Sequence, residues 1–213
     1  MSDRRTGLRE RKKQLTYQAV SEAAISMFLE RGFDQVSVAE VAAAADISKP
    51  TLFRYFPAKE DLVLHRFADH EDEAARVVSG RADGLSPLEA LRDHFLDGLD
   101  RRDPVTGLCD NPQVLAFHRL LYGTPSLVAR MYAYQGRSEA ALARALDPGS
   151  RVTAQLAAGQ IIAVLRILAM ENWRRIDAGE TAGQVHDDAV AAARIAFRQL
   201  ADGLRGAAPG GGA

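Results

Sequence analysis

Apolar residues along this chain recur at spacings of three and four, and no run shows the strict alternation of apolar and polar positions that marks a half-buried strand. The pattern predicts an all-α protein of about nine helices. The first runs from about Leu15 to Arg31 with Val20, Ala24, Ile25 and Phe28 on one face, and Gly32 supplies the left-handed residue that ends it. Ser37, with Glu40 three residues later, forms an S-x-x-E capping box that opens a short helix through Ala45. Ser48 caps the next. Pro50 is tolerated there because its missing N–H falls in the first turn, whose donors have no partner inside the helix. That helix ends near Phe56, before Pro57. A longer helix is expected from Lys59 to about Arg81. Ser86-Pro87-Leu88-Glu89 is another cap, opening a helix to about Arg102, and Thr124-Pro125 repeats the device. Asp103 to Pro112, with two prolines and a glycine, reads as a loop, and helices from Arg151 to Asp177 and from Gln184 to Leu204 close the fold.

The two short capped helices, separated by Asp46-Ile47, form a compact elbow. Val38, Val41, Ala42, Ile47, Leu52 and Phe56 can share one core with Phe28 and Phe33, which is helix-turn-helix geometry. The opposite face of the second short helix then presents Lys49, Pro50, Phe53 and Arg54 to solvent, flanked by Thr51 and Tyr55. Such a helix fits the major groove of DNA. Lys49 and Arg54 can donate to guanine O6 and N7, and Pro50 or Phe53 can touch a thymine methyl. Tyr55, Thr51, Ser37, Ser48 and Lys59 are candidates for phosphate contacts, and a helix beginning at Lys59 would add backbone N–H donors. Ser37 and Ser48 are N-caps first; whether they also touch phosphate stays open.

Phe28-Leu29-Glu30-Arg31-Gly32-Phe33, then Val36-Ser37-Val38-Ala39-Glu40-Val41-Ala42, then Ser48-Lys49-Pro50-Thr51-Leu52-Phe53-Arg54-Tyr55-Phe56-Pro57-Ala58-Lys59-Glu60-Asp61-Leu62, resembles the N-terminal domain of the TetR family. The similarity runs ungapped from roughly Leu15 to His65, about a quarter of the chain. It implies a homodimeric transcriptional regulator, usually a repressor, bound to double-stranded palindromic operator DNA and released by a small effector held in a larger C-terminal helical domain. Two positions depart from the family pattern. Ala45-Asp46 stands where Ala-Gly is usual, and Asp tolerates left-handed backbone better than most residues. Phe53 stands where a tyrosine is frequent and cannot hydrogen-bond a phosphate, which moves that duty to Tyr55, Thr51 and Lys59.

The expected organisation is a flexible basic arm at 1–11, the DNA-binding domain at 12–65, a helical ligand-binding and dimerisation domain at 66–205, and a disordered tail at 206–213. Arm residues Arg4, Arg5, Arg9, Arg11, Lys12 and Lys13 either enter an adjacent minor groove or are solvated. In the last helix Val190, Ala193, Phe197, Leu200 and Leu204 recur at three and four beside the small Ala189, Ala192 and Ala196. The helix before it is apolar on more than one side, through Ile161, Ile162, Val164, Leu165, Ile167, Leu168 and Met170. The resemblance implies a four-helix dimer interface from this pair, and Ile161, Leu165, Leu168, Val190, Ala193, Phe197, Leu200 and Leu204 are its candidates. Candidate effector-lining residues on the middle helices are Phe95, Leu99, Phe117, Tyr122, Met131, Tyr132, Tyr134, Met170 and Trp173, with His94, His118 and Asn172 as polar handles. The mixture favours a mostly apolar organic effector, although aromatics and methionines at helical spacing also serve as plain core.

Composition adds limits. The 27 basic and 28 acidic residues give a net charge of -1, so any nucleic-acid contact must be local. Residues 1–66 hold 11 basic and 9 acidic residues, and all four lysines lie there. The single Cys109 cannot form an internal disulfide, which fits a reducing cytoplasm. No secretory signal is expected at the N-terminus, and the most apolar stretch, Leu156 to Met170, is short and interrupted by Gln160 and Arg166, so no membrane partner is expected. No HExxH, phosphate-binding glycine loop or G-x-S-x-G occurs, and His65 and His70, five apart, do not share a helix face. Neither an enzyme nor a cofactor or metal site is therefore expected. A ligand-responsive activator, and a small-molecule-binding or enzymatic helical dimer that does not touch DNA, remain the alternatives.

Overall fold

The computed structural model describes the backbone of residues 3–146 and 149–205, and side chains within 15–67, 70–146 and 149–203. All regular structure among the described residues is helical: α1 Asp3–Arg31, α2 Val38–Ala44, α3 Lys49–Tyr55, α4 Asp61–Leu64, α5 Glu73–Ser79, α6 Pro87–Asp100, α7 Pro112–Gly123, α8 Pro125–Ala145, α9 Arg151–Asp177 and α10 Ala182–Arg205, with 3-10 segments at His65–His70 and Pro104–Thr106. The chain divides into two compact units, one of Met1–Asp69 with Ala116–Ala133, the other of His70–Leu115 with Tyr134–Ala213.

Three expectations about elements change. Helix α1 begins at Asp3, not Leu15, so the stretch expected to be an arm is helical; strong helix formers (Arg, Glu, Lys, Leu, Gln) fill it, with Asp3 in the favourable first turn. The single helix expected from Lys59 to Arg81 is α4, a 3-10 segment and α5. The acidic run Glu71-Asp72-Glu73 explains the break, since carboxylates are unfavourable at a helix C-terminus and favourable in the first turn of the next, where Glu73 stands. Thr124 does not cap α8: its hydroxyl donates to the Leu120 carbonyl at 2.8 Å. The expected tail at 206–213 lies outside the described residues.

In the first unit, Val20, Ala24, Ile25 and Phe28 of α1 pack with Phe33, Val36, Val41, Ala42, Leu52, Phe56 and Leu62, all buried. Each large side chain so buried contributes about 1.5–3 kcal/mol. Ser21, the polar residue on the buried face of α1, donates its hydroxyl to the Leu62 carbonyl at 2.6 Å, which ties α4 to α1 without leaving a buried donor unmet.

The core of the second unit gathers Leu91, Phe95 and Leu99 of α6, Ala158, Ile161 and Leu168 of α9, and Val185, Ala193, Phe197 and Leu200 of α10. Helix α6 opens on the expected capping box, with Ser86 and Glu89 satisfying each other's backbone N–H. The segment read as a loop is a wedge. Gly107, at φ +74°, presses so close to α9 that a β-carbon there would lie 1.9 Å from the Ala169 carbonyl oxygen. Buried Asn172 of α9 donates to the Thr106 carbonyl at 2.9 Å and fixes the contact. With 27 residues, α9 is long and apolar enough by composition to cross a bilayer, but one face of it, from Ala154 to Ile176, is buried in this core.

Candidate nucleic-acid interface

The elbow forms as its caps predict. The Ser37 hydroxyl accepts from the Glu40 N–H at 3.2 Å while the Glu40 carboxylate accepts from the Ser37 N–H at 2.8 Å. That backbone N–H, then the Arg31 guanidinium at 2.7 Å, holds the Glu40 carboxyl down at about 2. The box is thus pinned to the end of α1. Between α2 and α3, Asp46 takes the left-handed conformation at φ 52°, as expected of an Asp standing where glycine is usual. Ser48 then caps α3, accepting from the Thr51 N–H at 3.2 Å and hydrogen-bonding the Thr51 hydroxyl at 2.8 Å.

Leu52 of α3 and Phe56 beyond it are fully buried, which fixes the helix by its inner face and leaves Lys49, Pro50, Phe53 and Arg54 exposed on the outer one. Lys49 reaches over the Phe53 ring, 5.9 Å from its centroid, and the Arg54 guanidinium lies 5.4 Å from that of Tyr55. Tyr55 is half-buried and meets Tyr17 edge-on at 4.9 Å, so its ring braces α3 against α1. The result is a short, rigid helix with two cations and an exposed aromatic ring on one face. Such a face can donate to base edges and touch thymine methyls in a major groove.

One sequence assignment is corrected. Lys59 does not project from the surface as a phosphate ligand: its ammonium donates to the Phe33 carbonyl and lies 4.3 Å from the Phe33 ring centroid and 5.4 Å from that of Phe28. A cation held by a carbonyl dipole and two ring faces is already solvated by the protein. The helix dipole expected at Lys59 is also absent, since α4 starts at Asp61 and spans four residues. The Asp61 carboxylate accepts from the Ala58 N–H at 2.9 Å and pairs with Arg130 at 2.8 Å, so a carboxylate already occupies the place a phosphate would take.

Residues 21–65 match the model of the bacterial regulatory proteins of the tetR family. That stretch holds the whole elbow of α2 and α3, so the reading head is similar to that of the tetR family. It is 30% identical over 139 residues to the HTH-type transcriptional regulator TcmR of Streptomyces glaucescens, a match over 65% of this chain and 62% of TcmR. The chain therefore spans less than two thirds of that relative's length. Its fold is similar to NalD of Pseudomonas aeruginosa, the secondary repressor of the MexAB-OprM multidrug efflux pump, at 20% identity and a TM-score of 0.56, over 87% of this chain and 96% of NalD. It is also similar to the transcriptional regulator FadR of Bacillus subtilis, solved in complex with stearoyl-CoA, at 17% identity and a TM-score of 0.51, over 86% and 97% of the two chains. At these identities the two structures speak for the TetR fold alone.

The residues expected to line an effector site fall in both units. Phe117, His118, Tyr122 and Met131 belong to the first unit, where His118 lies 5.9 Å from Tyr122 and burial pushes its imidazole pKa down. Phe95 and Leu99 are core residues of the second unit, and Tyr134, Met170 and Trp173 are half-buried there. A cleft of about 550 Å³ in that unit, lined by Ala140, Arg144, Ser150, Arg151 and Gln155 among others, touches none of the expected residues.

Five of the eight expected dimer residues are covered by the protomer's own core. Ile161, Leu168, Ala193, Phe197 and Leu200 are buried inside the protomer, Leu165 and Val190 are half-buried, and the Leu204 side chain lies outside the described residues. A second copy can cover only what the first leaves open. The apolar side chains left open on this helix pair are Val152 (65% exposed), Leu156 (60%) and Ile167 (56%) of α9 and Ile195 (48%) of α10. Ile167 is one of the residues that make α9 apolar on more than one side, whereas Val152, Leu156 and Ile195 lie outside the strongest periodic arc, which is the arc the protomer's own core uses.

Proposed function

We propose that the chain is a DNA-binding transcriptional regulator, a repressor that binds a palindromic duplex operator as a homodimer and leaves it when a small, largely apolar organic molecule binds. The observation that carries this reading is the outer face of α3, where Lys49, Pro50, Phe53 and Arg54 stand exposed on a helix capped by Ser48 and locked by buried Leu52. Ser37, Ser48, Thr51 and Tyr55 remain candidates for flanking phosphates, and Lys59 is withdrawn from that list. The proposed dimer face is the open stripe of Val152, Leu156, Ile167 and Ile195, because a soluble protein rarely leaves contiguous apolar surface without a partner. Two-fold symmetry then requires two half-sites about 34–36 Å apart or somewhat more. Repression, effector class and a cytoplasmic location rest on the TetR resemblance; an activator would use the same reading head.

Selection of bound duplexes from a random pool tests the reading directly. The wild type should enrich an inverted repeat, and Arg54→Ala should relax preference at one base pair per half-site at a cost of about 1–3 kcal/mol. A chain that enriches no sequence and binds no duplex in a salt-dependent way is not a DNA-binding regulator.

A further inference from the structure

Each cation on the outer face of α3 lies against an aromatic ring, and the two rings differ in how they are held. Lys49 reaches over Phe53, which stands exposed on the same outer face. Arg54 lies beside Tyr55, whose half-buried ring meets Tyr17 of α1 edge-on, with centroids 4.9 Å apart and planes at 64°. Tyr17 is fixed in turn. Its ring stacks on His65 at 5.0 Å and 26°, and meets buried Phe56 edge-on at 5.2 Å. Phe56 and His65 also meet edge-on, at 5.6 Å, which closes the set. Four rings from α1, from the end of α3 and from the residue after α4 thus form one cluster, with Tyr17 in contact with the other three.

An arginine on an open helix face loses rotamer freedom when it forks onto guanine O6 and N7, and that loss is subtracted from the contact. A ring beside the guanidinium narrows those rotamers before DNA arrives, because its π face attracts the cation. The ring can do so only if it is itself held. Tyr17 supplies that hold, since an edge-on aromatic pair favours its packed arrangement by about 2–12-fold beyond the area it buries. Phe53, exposed on the outer face, gives Lys49 a less confined support.

We infer that Tyr17 is a specificity-positioning residue of the reading head: its ring fixes Tyr55, and Tyr55 holds the Arg54 guanidinium in the arrangement that forks onto one guanine. Tyr17 acts through Arg54 and needs no contact of its own with a base. The inference rests on the DNA-binding reading above and deepens it, because part of the base discrimination expressed by α3 is set from α1. The base read by Lys49 does not depend on Tyr17.

The test compares the full-length wild type with Tyr17→Phe, Tyr17→Leu, Arg54→Ala and the double variant Tyr17→Leu with Arg54→Ala. Each is titrated with the selected operator and with operators changed at one base pair of each half-site. The base pair relaxed by Arg54→Ala is the one Arg54 reads. Discrimination there should fall by about 2–12-fold per half-site in Tyr17→Leu and stay that of the wild type in Tyr17→Phe, which keeps the ring. Discrimination at the other base pairs should not change. In the Arg54→Ala background Tyr17→Leu should cost nothing further at that base pair, the mark of two residues acting as one. Melting is followed in parallel, because Tyr17 also meets buried Phe56; lost stability alone weakens binding to all duplexes alike and leaves discrimination where it was. Tyr17→Met, with the same expectation, replaces Tyr17→Leu if that variant does not fold. Unchanged discrimination without the ring, an equal loss at every base pair, an equal loss in Tyr17→Phe, or additive losses in the double variant each overturns the positioning role. If Arg54→Ala relaxes no base pair, the base-reading assignment of Arg54 itself fails, an outcome distinct from those four.

Discussion

Lys59→Met separates two accounts of one residue. From the sequence alone Lys59 is a phosphate ligand; in the structure it closes the end of the reading head, donating to the Phe33 carbonyl and lying over the rings of Phe33 and Phe28. A charge-assisted hydrogen bond contributes about 1.5–3 kcal/mol. Cation–π contacts add about 0.5–1 kcal/mol at exposed sites and more when desolvated. Methionine keeps most of the aliphatic volume and loses both terms, and water can reach the half-buried Phe33 carbonyl in part. The expected net loss is about 2 kcal/mol. Hydrogen exchange of the slowest amides in α1 should accelerate by about 30-fold, since each 1.4 kcal/mol is a factor of ten. The salt slope of duplex binding should stay that of the wild type. A slope shallower by about 0.9 per protomer with unchanged exchange would mean that Lys59 sits on phosphate and that the structural assignment is wrong.

Two further outcomes concern the second unit. Gly107→Ala places a methyl 1.9 Å from the Ala169 carbonyl oxygen at a left-handed backbone position, so α9 or the wedge must shift; the loss should be about 3 kcal/mol or more, read as a lower melting temperature by the fluorescence of Trp173, the chain's single tryptophan. An unchanged melting curve refutes the close approach. The second outcome is a pH window. Glu73 accepts from His70 at 2.6 Å and from His94 at 2.9 Å, and these bonds hold its carboxyl well below the usual carboxylate range. The bond to Glu73 raises the His94 pKa against the opposing effect of burial, with Arg101 and Asp103 acting on it in opposite senses. The raised His94 contributes stability below its ordinary 6.5 and loses it as pH climbs through the folded value; the depressed Glu73 contributes above its ordinary 4.5 and loses it as pH falls. The melting-temperature gap between wild type and Glu73→Gln should therefore be widest between pH 4.5 and 6.5. A gap independent of pH removes the coupling.

The reading head was legible because its determinants are local. The Ser37–Glu40 box, the Ser48 cap and the left-handed Asp46 each act within three residues, and one amphipathic period identifies Leu52 and Phe56 as the buried side of α3. What escaped the sequence acts at a distance. Lys59 meets Phe33 across 26 positions, and Asn172 meets the wedge across 66. No spacing rule reaches so far. The break after His70 has a local signal, the acidic run Glu71-Asp72-Glu73 that opposes a helix C-terminus, but the apolar period alone runs through it. Charge marks the basic arm, whereas its helicity follows from propensity and from continuity with α1.

Helix α9 shows why periodicity cannot identify a dimer face. Ala154, Ala157, Ala158, Ile161, Leu168 and Ile176 form one apolar arc, and Val152, Leu156 and Ile167 form another. Period says which residues share a face, not which body covers it. The first arc is covered by the chain's own core, so the second is the one the proposed dimer would cover, and Leu156→Glu should give a monomer in sedimentation at micromolar concentration. The consequence for DNA is larger than that of any single base contact. When two heads are joined, the second binds intramolecularly, and linkage of this kind raises affinity by about 10²–10⁴-fold without a new contact. Losing one base-reading side chain costs about 1–3 kcal/mol, roughly 5–150-fold. Arg54→Ala removes that contact from both heads of a dimer, so Leu156→Glu should weaken operator binding by a comparable factor, though residue 156 touches no DNA in this reading, and the bases preferred within each half-site should stay the same. A Leu156→Glu protein that remains dimeric, or a monomer that binds the full operator as tightly as wild type, would show that the exposed stripe on α9 is not what joins the two heads.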